Sequence, residues 1–124
     1  MWLKIKVVVV MVSFLLSTGC VTTLSEIREK KPSRTLTSTK SPHELAKCIE
    51  QKIRAGKIGA NCVVALEEHP NNTYRIAITQ YRSNTVSDIF VKPTDSGSVV
   101  ECRNNYLWAV DSQLELEAID RCLK

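Results

Sequence analysis

Four cysteines in the last 84 residues, Cys48, Cys62, Cys102 and Cys122, constrain this 124-residue chain more than any other feature. A segment of that length builds one hydrophobic core, and a thin one, so covalent staples matter to it. An even number of cysteines in an oxidising compartment is a disulfide framework, whereas in a reducing one it is a set of thiols or metal ligands. Two bridges would contribute about 2–4 kcal/mol each. The decision turns on whether the chain is exported, and the first twenty residues, which end in a fifth cysteine, bear on that directly.

Residues 1–19 have the order of a targeting segment. Lys4 and Lys6 form a short positive start, and the run Val7 to Leu16 is almost unbroken apolar sequence. That run is short for crossing a bilayer, which takes roughly 20 apolar residues, and it has the length of a signal-peptide core. Small residues then precede Cys20 in Leu16-Ser17-Thr18-Gly19-Cys20. This stretch resembles the lipobox of Gram-negative bacterial lipoproteins, with Ser17 where that pattern usually carries a branched apolar residue. The resemblance implies cleavage before Cys20 and a diacylglycerol on its sulfur. It also implies three acyl chains in all, enough for firm membrane attachment. Val21, which is not an aspartate, implies the outer membrane by the same resemblance. A conventional secretory signal that leaves Cys20 as a thiol and a plain transmembrane anchor are the alternative readings of the leader.

Charge divides the remaining chain. Cleavage before Cys20 leaves 105 residues with 15 basic and 13 acidic side chains, a net charge of +2. The excess lies in residues 21–41, where Arg28, Lys30, Lys31, Arg34 and Lys40 face only Glu26 and Glu29. Residues 42–124 carry a net charge of −1, which excludes a nucleic-acid binder on charge grounds. Residues 20–40, rich in Thr, Ser, Lys and Arg, are expected to be the lipidated cysteine and a flexible tether. The basic residues of that tether either lie on anionic head groups or are simply solvated.

Residues 41–124 are the expected domain. Ser41-Pro42-His43-Glu44 joins a capping serine, a proline at the first helical position and a capping-box glutamate. With Leu45, Cys48, Ile49 and Ile53 at helical spacing, it predicts a helix over 42–55. Alternating segments over 61–68 and 73–81, joined by His69-Pro70-Asn71-Asn72, predict a hairpin. Further strands are expected over 86–91 and 98–103, and Asp111-Ser112 opens a last helix. The expected fold is therefore α+β: a four-stranded antiparallel meander with an N-terminal and a C-terminal helix packed on one face, stapled by disulfides. Adjacent helices would bring Cys48 to Cys122 and leave Cys62 to bridge Cys102 within the sheet. Cys48–Cys62 with Cys102–Cys122 is the main alternative, and sequence alone leaves all three connectivities open.

The search for chemistry yields little. His43 and His69 have no partner at a metal-ligand spacing, so no metal or cofactor is expected. Glu67 and Glu68 are adjacent on a strand and point to opposite faces, which prevents them acting as an acid/base pair. Asp111, Glu115 and Glu117 have the appearance of a solvated helix face. Tyr81, Tyr106 and Trp108 are either interface aromatics or core. These features favour a membrane-anchored module that binds an envelope protein, without catalysis. An inhibitor of an exported hydrolase is the runner-up, since some small disulfide-bonded lipoproteins inhibit lysozyme. Its reactive loop would be His69 to Asn72 or Thr94 to Ser98. An exclusion or immunity lipoprotein is the third class.

Overall fold

A computed structural model describes residues 23–80, 84–106 and 109–124. The elements in chain order are helix α1 (Leu24–Glu29), strand β1 (Arg34–Ser38), helix α2 (Pro42–Ala55), helix α3 (Lys57–Asn61), strands β2 (Cys62–His69), β3 (Thr73–Gln80), β4 (Thr85–Thr94) and β5 (Gly97–Asn104), and helix α4 (Ala109–Asp120). The strands form one antiparallel sheet in the order β1-β5-β4-β3-β2. The α+β class and the meander β2 to β5 are as expected, but the sheet has five strands rather than four.

The fifth strand comes from the segment expected to be a tether. Thr35-Leu36-Thr37 combines β-branched residues with one apolar side chain, and Leu36 packs against the core while β1 pairs with β5 from Arg34 opposite Cys102 to Ser38 opposite Ser98. β1 ends close against the β4–β5 turn. A Cβ on Gly97 would lie 2.1 Å from the Ser38 carbonyl oxygen, and its φ of +149° suits only glycine. The Ser38 hydroxyl donates to the Leu123 carbonyl at 2.5 Å, tying β1 to the C-terminal tail.

α2 has the predicted bounds. The Ser41 hydroxyl accepts from the Glu44 backbone N–H at 3.4 Å, and Pro42 opens the first turn. Its apolar stripe of Leu45, Ala46, Ile49 and Ile53 is buried. The chain then turns into the unanticipated short α3, which packs so tightly on the end of α2 that a Cβ on Gly59 would meet the Arg54 carbonyl oxygen at 2.4 Å. At the β2–β3 turn, Asn71 and Asn72 adopt φ of 65° and 57°. Asparagine tolerates this region better than other residues with a Cβ, which is why the pair works as a turn.

Alternation along the strands gives the sheet two unlike faces. One carries Val64, Tyr74, Ile76, Ile78, Ile89, Val91, Val100 and Cys102 and packs against α2 and α4. Both long helices lie on this face, but α1 lies on the other, so helices flank the sheet on either side rather than covering one face as expected. The opposite face carries Glu67, Arg75, Asp88, Phe90 and Glu101. α1 packs there, with Ile27 fully buried. Among the described residues, no helix is long and apolar enough to cross a membrane.

Candidate functional site

Two constellations of polar side chains stand out, one on each face of the sheet. On the α1 face, the Asp88 carboxylate is completely buried and receives two guanidinium groups. Arg75, across the β3–β4 pairing, donates Nη1–H to Oδ2 at 2.5 Å. Arg28, on α1, donates Nε–H to Oδ1 at 3.3 Å and Nη2–H to Glu67. Burying a carboxylate is tolerable only when it is paired and hydrogen-bonded, and here both oxygens have a partner. The Arg75 guanidinium also lies 3.9 Å above the centre of the Phe90 ring, a cation–π arrangement that holds its plane. Nearby, Glu101 links Lys92 at 3.3 Å and Arg103 at 3.4 Å.

On the other face, Glu115 of α4 is buried at the margin of the apolar core. It accepts from the Ser87 hydroxyl and, at 3.1 Å, from the Tyr106 hydroxyl. Burial pushes its carboxyl up to about 7, although both hydroxyl hydrogen bonds act in the opposite sense. Tyr106 is pushed upward as well, first by burial and then by Glu115. Glu115 was expected on a solvated helix face, and the structure corrects this. It stands four residues before Ile119 and seven before Cys122, on the stripe that both buried residues occupy. That spacing was the available signal. Beside the cluster lies a hollow of about 300 Å³ lined by Lys57, Asn61, Cys62, Gln80, Tyr106 and Asp111, among others.

The cysteines divide differently from the expectation. Cys48 and Cys122 form a disulfide with Cα atoms 5.8 Å apart, joining α2 to the turn after α4 across 74 residues of sequence. Cys62 and Cys102 carry free thiols, so the expected second bridge is absent. The meander itself separates them. Cys62 is on the edge strand β2 and Cys102 on β5, with β3 and β4 between. Three strand spacings are about 14 Å, roughly twice the reach of a disulfide between Cα atoms. Burial raises both thiols, Cys102 to about 12, which opposes thiolate chemistry.

The two histidines do not converge. His43 packs edge-on against Tyr74 at 5.7 Å, and His69 holds Nε2 at 3.9 Å from Glu67, outside hydrogen-bond reach. Glu67 and Glu68 do point to opposite sheet faces. Among the described residues, no group of three or more potential ligands is placed to hold a metal ion. Cys20, Tyr81 and Trp108 lie outside the described residues. No protein-family model, curated protein or solved structure matches this chain.

Proposed function

We propose that this chain is a small lipoprotein of the bacterial outer membrane, anchored through Cys20, whose stapled domain acts by binding an envelope protein rather than by catalysis. The observation that carries this reading is the Cys48–Cys122 disulfide, which closes a fold lying directly after a leader that ends in a lipobox-like cysteine. A bridge spanning most of a small domain suits an exported, oxidising compartment. The deep pairing of Asp88 and the raised thiols support a structural role for the most buried polar groups, which leaves the surface to do the recognition.

The test is an intact, non-reduced mass of the protein extracted from membranes. The expected species begins at Cys20, carries three acyl chains, holds one disulfide and takes up two alkylating groups, at Cys62 and Cys102, once unfolded. Cys20→Ala is expected to release the protein from the membrane. An unacylated chain, or a Cys20→Ala variant that stays bound, would overturn the anchor.

The β2–β3 tip supports the inhibitor reading as the alternative. Asn71 and Asn72 are exposed there, held in a turn in which the Thr73 hydroxyl donates to the Pro70 carbonyl at 2.8 Å. Loss of muramidase or protease inhibition on replacing both asparagines by glycine would favour it, and no inhibition by the intact protein would remove it.

A further inference from the structure

The anchor reading carries a geometric consequence, and the inference that follows rests on that reading. Thr23 caps α1, so only Val21 and Thr22 stand between Cys20 and the first residue of the fold. An extended chain advances at most about 3.6 Å per residue, so three steps reach about 11 Å at most. A lipid on Cys20 therefore holds Thr23 that close to the acyl-bearing sulfur. The six residues of α1 add about 9 Å at 1.5 Å per residue. The far end of α1 is thus confined near the head groups, within a few Debye lengths of their phosphates.

That end of the fold is basic. Lys30 and Lys31, on the α1–β1 connection, and Arg34, the first residue of β1, are exposed. Arg103, largely buried and paired with Glu101, donates Nε–H to the Lys30 carbonyl at 2.7 Å and so holds the connection in place, while Arg34 stands opposite Cys102 at the edge of the sheet. Glu29 is the acidic residue next to Lys30 in the chain, and Glu101 is taken by Lys92 and Arg103. The cluster keeps a positive excess. We infer that the corner where α1 meets β1 docks on an anionic phospholipid surface, with Lys30, Lys31 and Arg34 at the lipid phosphates. The short link raises the local concentration of phosphate at this corner, and each basic side chain near an anionic surface adds attraction.

The experiment uses the full lipidated chain, extracted from membranes and reconstituted into vesicles of phosphatidylcholine alone or with added phosphatidylglycerol. Hydrogen exchange over residues 30–34 is expected to slow on the order of tenfold in the anionic vesicles relative to the neutral ones. High salt is expected to reverse the difference. The combined variant Lys30→Glu, Lys31→Glu and Arg34→Glu, all at exposed positions, is expected to lose it. A Gly/Ser spacer inserted after Thr22 is expected to weaken it while leaving the anchor in place. Equal exchange in both vesicle types, in a protein that carries its lipid and floats with the vesicles, would overturn the docking and leave the anchor standing. A chain without acyl mass would overturn both.

Discussion

The two faces of this sheet are held by different physics. On the α2 and α4 face, aliphatic side chains such as Ile49, Ile53, Ile76, Ile89 and Ile119 are removed from water, and a disulfide closes the layer. That attraction is non-directional, and it scales with area. On the α1 face, one buried aspartate takes guanidinium groups from the sheet and from α1, and Ile27 supplies the apolar contact. Paired charges of this kind are directional and fix where a short element sits more than they add to overall stability. The first face carries the fold, and the second positions the segment that leads to Cys20.

The strongest way to break this contrast is to remove the staple. Cys48→Ala combined with Cys122→Ala opens a loop of 74 residues' separation, for which chain entropy predicts a loss of about 4 kcal/mol. Urea unfolding of the double variant is expected to show a midpoint shift of that size with a single transition. A change below about 1 kcal/mol would mean that packing alone holds α4 to α2.

Legibility in the sequence follows the same division. α2 was readable to the residue because capping by Ser41, Pro42 and Glu44 and the stripe of Leu45, Ile49 and Ile53 all agree. The meander was readable because its turns carry turn residues. α1 and β1 were not, because their stability comes from partners far away in sequence. A six-residue helix does not stand alone, and nothing near Arg28 announces Asp88 sixty positions later. The Cys62–Cys102 pairing failed for a readable reason, since the first and last strands of a meander cannot touch. Glu115 failed because its residue type was weighed above its place on the stripe.

The next effect sharpens the exception on the apolar face. Glu115 binds its proton more tightly in the folded chain, with its carboxyl at about 7, than at the ordinary value of 4.5. Between those values the native state holds more protons than the unfolded one, so stability falls as pH rises. The loss is about 3 kcal/mol, complete above pH 7 and absent below 4.5. Thermal melts are expected to drop on the order of 10 °C from pH 5 to pH 8. Glu115→Gln keeps an acceptor for Ser87 and Tyr106 and removes the proton. Its melting temperature is expected to exceed that of the parent at pH 8 and to lose this slope. An unchanged slope would place the titration elsewhere.

The smallest effect addresses the charged face itself. If α1 is a positioned element rather than part of the carrying core, it opens on its own. Native-state hydrogen exchange is then expected to give the Ile27 amide, which donates to the Thr23 carbonyl at 3.2 Å, a lower opening energy than the amides of α2. That opening should also respond weakly to denaturant, because it exposes little surface. Arg28→Ala leaves Asp88 paired with Arg75 and removes the Arg28 bonds to Asp88 and to the part-exposed Glu67, of which the buried one is worth about 2 kcal/mol. The α1 opening is expected to become roughly 30-fold easier, enough to leave α1 measurably detached while β3, β4 and α2 stay folded. If α1 and α2 exchange with one energy and one denaturant dependence in the parent chain, both faces belong to a single cooperative unit, and Asp88 carries the fold as much as the aliphatic core does.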